Sequence, residues 1–329
     1  MKELEYPFDK AYIQSKRRSI KKTLLSSDTF ISKRIAILGG STTAAIKDML
    51  ELFLLNQGIK PEFYESEYNK FYEDAVFSNP ELEEFKPEIV YVCTSVRNLI
   101  TWPSLTDSSE SVNAKLQAEI EKYITIWEAL QQRFGCMIIQ NNFDPPQYRL
   151  MGNFDAVSPN GATNYVMRLN LALSEEVGKR PYLNLLDLNY VASDYGLTKW
   201  QDEVAWCSFK YAMNLDAVPD LAFNVAKIIK SALGKNKKAL VLDLDNTLWG
   251  GVIGDDGVDG IELGQELPMG QAYQAFQHYV KKQTELGVVL AIDSKNDEEN
   301  ALAGLNHQDS VLKKEDFACI KANWQPKDV

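Results

Sequence analysis

The chain has 329 residues, of which 45% are hydrophobic, so it is long enough for two domains with packed cores. Its formal net charge of -11 at pH 7 argues against non-specific binding to nucleic acid or to anionic lipid. The amino terminus has no apolar signal region, and no apolar run approaches the roughly 18 residues of a membrane span. The four cysteines form neither a C-x-x-C pair nor a metal-ligand spacing. We therefore expect a cytoplasmic protein that binds neither nucleic acid nor membrane.

Short apolar runs alternate with longer helical patterns in the first two thirds of the chain. This alternation predicts parallel βαβ units, and the continuous apolar runs predict strands that are covered on both faces. The first 29 residues are expected to form a helical arm ahead of this domain. The predicted strands are Arg34–Leu38, Ile89–Cys93, Cys136–Gln140 and Tyr182–Leu186, and the predicted helices are Ala44–Asn56, Asn113–Phe134, Asn164–Val177 and Leu221–Leu233.

A polar break at residues 234–238 (GKNKK) predicts a domain boundary. A second unit begins at Ala239 with the strand ALVLDL, followed by a helix over Gln271–Leu286 and a strand over Val288–Ile292. The fold class that we predict is α/β, with two Rossmann-like domains that have mostly parallel sheets. The domains are expected to span residues 30–232 and 236–329.

An aspartate motif follows directly on the first strand of the second domain. Asp243-Leu244-Asp245-Asn246-Thr247 lies at the carboxyl end of this strand, where open α/β sheets bind ligands. The alternative is a pair of aspartates that cap the next segment of the chain. Residues two apart on an extended chain face the same side, so the two carboxylates repel each other and need a cation or a proton between them.

This pattern is typical of phosphoryl transfer. Mg²⁺ prefers oxygen ligands and commonly bridges carboxylates to phosphate, so we predict Mg²⁺ as the cofactor, with Asp243 and Asp245 as its ligands. Asp243 is the predicted nucleophile that attacks phosphorus, and Asp245 is the predicted general acid/base. Thr247 is expected to position the loop or to bond to the phosphoryl group.

The segments Asp243–Gly251 (DLDNTLWGG) and Val252–Gly257 (VIGDDG) resemble the FkbH-like subfamily of the haloacid dehalogenase superfamily. Two later pieces agree in order and spacing, namely SKN from Ser294 and WQPK from Trp324. The resemblance covers roughly residues 236–329. It implies a Rossmann-like phosphatase domain that uses Mg²⁺ and acts on a small phosphorylated substrate.

The resemblance also implies roles for residues downstream of the aspartate motif. Ser294 is expected to bind the phosphoryl oxygens, and Lys327 is expected to neutralise charge on the transferring phosphate during catalysis. Lys295 and Asn296 follow Ser294 and are expected to belong to the same phosphate site. The alternatives are a helix cap for Ser294 and a surface position for Lys327. The second aspartate, Asp245, favours phosphoryl chemistry over dehalogenation.

Two departures from the family pattern leave other functions open. The superfamily has a further acidic metal ligand after its fourth strand, and the sequence ends at Val329 before such an element, so we expect an incomplete domain. Many FkbH-like proteins have a cysteine before the serine, whereas this chain has Asp293, which cannot form a thioester. A glyceryl transferase that loads an acyl carrier protein from a phosphorylated three-carbon donor is therefore the second hypothesis. A non-catalytic scaffold in a biosynthetic assembly is the third.

The turn after the first strand of the chain resembles the first block of the SGNH hydrolases. It reads Gly39-Gly40-Ser41-Thr42-Thr43, with Gly40 in place of the usual aspartate. The resemblance implies an SGNH-hydrolase-like domain in which Ser41 is the candidate nucleophile and Asn142 the candidate oxyanion donor. Both histidines of the chain, His278 and His307, lie in the second domain, so Ser41 lacks an activating base. We expect the first domain to hold a partner or the non-phosphate part of a substrate.

Overall fold

The computed structural model describes residues 1–27 and 29–325 of the chain. These residues belong to two compact units, Met1–Gly234 and Lys235–Val329. All pairings between the named strands of both units are parallel, which confirms the predicted α/β class with parallel sheets. Among the described residues, no helix combines the length and the apolar character that crossing a membrane requires.

The first unit is a five-stranded sheet between two layers of helices. Successive residues of its first strand belong to opposite cores: Ile35 and Ile37 pack in one hydrophobic cluster, and Ala36 and Leu38 pack in the other. This alternation follows from the two-residue period of an extended chain. The strands of this unit are β1 Ile31–Gly39, β2 Ile59–Glu65, β3 Ile89–Cys93, β4 Met137–Asn141 and β5 Leu183–Leu186. The helices are α1 Lys10–Leu24, α2 Ala44–Asn56, α3 Phe71–Val76, α4 Pro80–Phe85, α5 Ser109–Phe134, α6 Ala162–Gly178, α7 Leu188–Tyr195, α8 Leu197–Trp200, α9 Glu203–Phe209 and α10 Val218–Ala232.

The strand order in this sheet is β2-β1-β3-β4-β5. Helix α1 lies against the sheet layer rather than apart from it, because its Ile13 and Ile20 are buried in the same cluster as residues of α2 and α10. Two cations of its basic stretch, Arg17 and Lys21, form ion pairs with acidic residues of α2. Leu4, Ile13 and Ile20 of this amino-terminal segment thus contribute to the first unit's core.

The second unit is a three-stranded parallel sheet with the order β6-β7-β8. Leu242 pairs with Ile292 in the register of the first two strands, so the segments that follow both residues leave the sheet at the same edge. The core of this unit packs Leu242 and Ile292 with Trp249 and Val280. The strands are β6 Ala239–Leu242, β7 Val289–Ser294 and β8 Cys319–Ala322, and the helices are α11 Ile253–Asp256, α12 Pro268–Glu285 and α13 Glu298–Leu305.

Candidate active site

The structure places Asp243 directly after β6 and beside the end of β7. The Ser294 hydroxyl donates to Asp243 Oδ1 over 2.7 Å, and the Leu244 backbone N–H donates to the same oxygen over 2.9 Å. Ser294 is only 2% exposed, so its hydroxyl is held in a fixed place. Two residues that are 51 positions apart in the sequence are therefore in direct contact at the carboxyl edge of the sheet.

Asp245 accepts hydrogen bonds from three N–H donors. Its Oδ1 accepts from the Trp249 indole over 2.9 Å and from the Ile253 backbone over 3.1 Å. Its Oδ2 accepts from the Asn296 side-chain amide over 3.0 Å. Because Trp249 is fully buried and Asn296 is 3% exposed, two immobile side chains fix the orientation of this carboxylate.

The residues after the two aspartates form a tight turn that returns the chain to the sheet edge. Asn246 adopts a φ of 54°, a left-handed conformation that asparagine tolerates better than most residues. Its Oδ1 accepts from the Gly251 backbone N–H over 3.1 Å, which closes the turn. The Thr247 backbone N–H donates to the Leu244 carbonyl over 3.0 Å, within the same turn.

The two glycines after Trp249 have physical reasons to be glycine. A Cβ on Gly250 would lie 2.8 Å from a ring carbon of Tyr273 and 2.9 Å from a carboxylate oxygen of Glu262. Gly250 also exchanges two backbone hydrogen bonds with Glu262, of 3.1 and 2.9 Å. Gly251 has a φ of 92°, which side chains rarely adopt. The WGG sequence thus allows the chain to fold back closely behind the aspartates.

Within residues 1–27 and 29–325, neither Lys295 nor Thr247 has a side-chain hydrogen bond to Asp243 or Asp245. Lys295 is exposed, whereas Ser294 and Asn296 on either side of it are buried. Thr247 is half-buried, and its structural contribution is the backbone bond of the turn. Lys327 lies outside the described residues. The catalytic and phosphate-binding roles of all these residues remain predictions.

The donor set at this edge is compatible with Mg²⁺. Two carboxylates and a substrate phosphate are enough ligands for this ion, because Mg²⁺ usually keeps several waters and binds through one or two carboxylates. A metal at Asp245 would share this side chain with the three N–H groups that donate to it. Within residues 1–27 and 29–325, no group of three or more His, Cys, Asp or Glu side chains is arranged to hold a metal ion.

The predicted site in the first unit surrounds the turn between β1 and α2. Ser41 is 5% exposed, and the turn is held by bonds from several directions. The Asn98 amide, which follows β3, donates to the Gly40 carbonyl over 2.7 Å. The Thr42 backbone N–H donates to the Lys210 carbonyl over 2.9 Å. A Cβ on Gly40 would lie 2.4 Å from the Asn98 amide, so only glycine permits this close contact.

Asn142 has its hydrogen bonds elsewhere. Its side-chain amide donates to Asp187 over 2.8 Å, and its side-chain oxygen accepts from the Asn189 backbone over 3.0 Å. Asp187 is the N-cap of α7 and Asn189 lies in its first turn, so Asn142 connects the end of β4 to the start of α7. Asn98 is the asparagine that contacts the Ser41 turn, and sequence reasoning missed it. Asn98 follows β3, which is the neighbour of β1 in the sheet, and this strand order comes from the structure and not from the sequence.

The segment that holds this Asn98 is fixed by a buried carboxylate. Asp144 is fully buried, and its two oxygens accept from the Val96 backbone and from the Trp200 indole, each over 2.8 Å. Burial raises the pKa of the Asp144 carboxyl. Asp144 therefore anchors the residues after β3 rather than serving as an exposed base for Ser41.

These observations define an α/β protein of two parallel-sheet units, one of which holds paired aspartates at the carboxyl edge of its sheet. The sequence profile of the FkbH N-terminal domain matches residues 34–230, which is more than half of the chain. The chain therefore belongs to the FkbH N-terminal domain family.

A solved structure agrees with this fold. The N-terminal part of the protein BF1531 from Bacteroides fragilis, described as containing a phosphatase domain and complexed with Mg, superimposes with a TM-score of 0.84. The two sequences are 27% identical, and the match covers 94% of this chain and 82% of that one. The α/β architecture of this chain is thus shared with BF1531.

Further matches are remote. The catalytic domain of peptidoglycan O-acetyltransferase A from Streptococcus pneumoniae has a TM-score of 0.32 at 15% identity, over 63% of this chain and 93% of that one. A putative acylhydrolase from Bacteroides fragilis has a TM-score of 0.34 at 12% identity, over 66% of this chain and 95% of that one. Scores this low support no conclusion about the present chain. No protein of curated function matches the sequence.

Proposed function

We propose that the second unit is a Mg²⁺-dependent phosphatase or phosphotransferase of the haloacid dehalogenase type, acting on a small phosphorylated metabolite. The observation that carries the proposal is the contact between Ser294 and Asp243, whose side-chain oxygens are 2.7 Å apart. A carboxylate beside a fixed hydroxyl, at the carboxyl edge of a parallel sheet, suits a nucleophile next to a donor for phosphoryl oxygens.

The proposed reaction has two balanced steps. Asp243 attacks phosphorus, its carboxylate oxygen bonds to phosphorus, and the bond from phosphorus to the leaving oxygen breaks while Asp245 supplies a proton to that oxygen. A water then attacks the aspartyl-phosphate, its proton passes to Asp245, and the bond between Asp243 and phosphorus breaks. If an acceptor hydroxyl takes the place of water, the same step transfers the phosphoryl group.

The remaining predicted residues complete the site in this proposal. Asp243 and Asp245 would hold Mg²⁺, which supplies positive charge against the phosphoryl oxygens. Ser294 and Thr247 would donate to those oxygens, with Lys295 and Asn296 in the same phosphate site. Lys327 would add a second positive charge. Asn296 already donates to Asp245, so its first role is to orient that carboxylate.

The comparisons support this proposal at a coarser level. BF1531, 27% identical over most of this chain, is described as containing a phosphatase domain and as complexed with Mg. We extend both features to the present chain as part of the proposal, together with the SGNH-hydrolase-like character of the first unit. We also propose that the reaction takes place in the cytoplasm, where the four cysteines, which are free in the structure, would stay reduced.

The proposal is tested by Asp243→Asn. We expect hydrolysis of p-nitrophenyl phosphate with Mg²⁺ to fall by about a thousandfold or more, because the amide cannot attack phosphorus. Asp255→Asn, which alters an exposed acid after the turn, is the matched control and should keep the parental rate. Mass spectrometry of the quenched parent should find a phosphoryl group on the peptide that contains Asp243.

Two results would contradict the proposal. Turnover of Asp243→Asn within about tenfold of the parent would remove Asp243 as the nucleophile. A folded parent without turnover of any phosphorylated metabolite tested, and without a phosphorylated Asp243 peptide, would favour the scaffold hypothesis.

A further inference from the structure

Trp324 is the most exposed aromatic side chain that the structure describes in the second unit, at 69%. It follows β8, and the backbone N–H of the residue before it, Asn323, donates to the Ser294 carbonyl over 3.1 Å. Ser294 is also the residue whose hydroxyl donates to Asp243. The strands of this sheet are parallel, so the segments after β7 and β8 leave it at the same edge. Trp324 therefore lies at the carboxyl edge that holds the paired aspartates.

The Trp324 indole is held in place although it is exposed. Its Nε1 donates to Asp297 Oδ1 over 2.9 Å, and Asp297 is the residue directly before α13. This bond joins the segment after β8 to the segment after β7, so the ring lies near the end of β7, where Ser294 is. A ring that is already fixed loses little further freedom when a ligand stacks on it.

Hydrogen bonds connect the same indole to the predicted general acid/base. The Asp297 backbone N–H donates to Asn296 Oδ1 over 3.0 Å, and the Asn296 side-chain amide donates to Asp245 Oδ2 over 3.0 Å. Three consecutive residues of this network, Trp324, Asp297 and Asn296, thus lead from an exposed ring to a carboxylate of the candidate active site. The position of the ring relative to that carboxylate is defined by the fold.

The ring of Trp324 has no stacking partner within residues 1–27 and 29–325: no other aromatic ring lies against it, and no cation lies over it. The other exposed rings described in the second unit, Phe276 and Tyr279, stack on each other on α12, with their centres 6.4 Å apart. A planar ligand group that covered Trp324 would remove apolar area of both rings from water and add an aromatic contact.

We propose that Trp324 is a specificity-determining residue that binds the non-phosphate part of the substrate, and that the substrate is a phosphate monoester with a planar aromatic or heteroaromatic group. The inference rests on the phosphate site proposed for Asp243 and Ser294 and adds a substrate class to it. With the phosphoryl group beside Asp243, the ring of such an ester stacks on the indole. Trp324 then contributes affinity rather than chemistry, because it touches a part of the substrate that the reaction leaves unchanged.

The test uses phenylphosphonate as the probe, titrated into the full chain in a calorimeter with Mg²⁺ present. Its phosphorus–carbon bond cannot be cleaved by the proposed reaction, so binding is measured without turnover. Methylphosphonate has the same charged group without the ring. We expect phenylphosphonate to bind at least about fivefold more tightly than methylphosphonate, because only phenylphosphonate can stack on the indole.

Variants assign this preference to one ring. Trp324→Ala should bring the affinities for the two phosphonates to within about twofold of each other, and should leave the affinity for methylphosphonate within about twofold of the parent. Trp324→Phe keeps a ring at this position and should retain a preference of about threefold. Tyr279→Ala is the matched control, since it removes another largely exposed ring of the same unit, and it should keep the parental preference.

The possible failures can be told apart. Equal affinities of the parent for the two phosphonates, or an equal loss of preference in Trp324→Ala and Tyr279→Ala, would overturn the role of Trp324 alone. Loss of both phosphonates in Trp324→Ala would make the tryptophan a structural part of the site instead of a specificity residue. A parent that binds neither probe up to about 10 mM would overturn this proposal together with the phosphate site. Ring-dependent binding without turnover and without a phosphorylated Asp243 peptide would contradict only the phosphotransfer.

Discussion

At the residue scale, the contacts of Asp245 give Trp249 and Asn296 a structural role. Trp249 served in the sequence only as a marker of family resemblance, and Asn296 as a candidate phosphate ligand. In the structure, both side chains donate to the Asp245 carboxylate, over 2.9 and 3.0 Å. Gly304 leaves the space that the indole occupies, because a Cβ there would lie 2.6 Å from the Trp249 ring. Trp249 is therefore a positioning residue for Asp245.

Trp249→Phe removes the indole N–H and keeps most of the buried ring. We expect kcat for p-nitrophenyl phosphate to fall by about tenfold with KM nearly unchanged, because a hydrogen bond to a charged group contributes about 1.5–3 kcal/mol. Trp127→Phe is the control, since it removes an equally buried indole N–H that donates to Gln140 over 3.0 Å in the first unit. Steady-state kinetics and thermal unfolding of both variants make the comparison.

Equal kcat values for Trp249→Phe and the parent would mean that Asn296 and the Ile253 backbone hold Asp245 without the indole. Equal losses of activity in the two tryptophan variants would indicate a general effect of destabilisation. An increase in KM alone would assign Trp249 to substrate binding instead of to positioning.

The aspartate motif was readable from sequence because its spacing and its place after a strand are local properties. The placement of Asp243 and Ser294 in one phosphate site was an expectation from the family resemblance, and the two side chains are in contact in the structure. The sequence could not show whether Asn98 or Asn142 contacts the Ser41 turn. Both asparagines follow strands of the same sheet, and the order β2-β1-β3-β4-β5 makes β3 the neighbour of β1. That order is a tertiary property.

At the element scale, strongly apolar segments were predicted well, and the strands β2 and β8, which lack a continuous apolar run, were missed. Helix α2 and strand β3 have the predicted bounds, because each is an apolar run that both the local pattern and the core require. Strand β2 (IKPEFYE) contains Pro61 and several charged residues, which are typical of an edge strand and gave no strand signal. Strand β8 has only four residues, so its pairing with β7 defines it more than its sequence does.

One side chain of α12 connects three segments behind the candidate active site. Gln277 is fully buried, and its amide donates to the Leu248 carbonyl over 2.8 Å. Its side-chain oxygen accepts from the backbone N–H groups of Val311 and Leu312, over 2.8 and 3.1 Å, and from the Ser310 hydroxyl over 3.1 Å. Gln277 thus links the aspartate turn to the segment that precedes β8.

Gln277→Leu keeps the size of the side chain and removes every one of these bonds. We expect the free energy of unfolding of the second unit to fall by about 3 kcal/mol, because buried backbone groups of the two loops lose their partner. Gln271→Leu, on the exposed side of the same helix, should change this free energy by less than about 0.5 kcal/mol. Urea unfolding followed by far-ultraviolet circular dichroism measures both values.

Near-equal stabilities of the two glutamine variants would show that the loops rearrange or that water replaces the side chain. A loss in Gln277→Leu that is confined to activity, with unfolding unchanged, would mean that Gln277 orders the aspartate turn without stabilising the unit.

At the scale of the whole molecule, each hydrophobic core that the described residues form belongs to one of the two units. Both clusters of the first unit consist of residues up to 233, and the cluster of the second unit consists of residues from 240 onward. A unit with its own core can fold alone, because its stability does not depend on apolar contacts with a neighbour. The residues between these cores include Lys235, Lys237 and Lys238, of which the last two are exposed.

This arrangement predicts where trypsin cuts the native chain first. Cleavage should occur after the lysines at 235–238. An exposed polar segment between two cores can enter the active site of the protease without unfolding of either unit. Two fragments should persist, each with a cooperative thermal transition of its own. A variant with glutamine in place of Lys235, Lys237 and Lys238 is the control and should resist this cut while its remaining lysines stay available. First cleavage inside either sheet, or the unfolding of one fragment once it is released, would show that the two units depend on each other for stability.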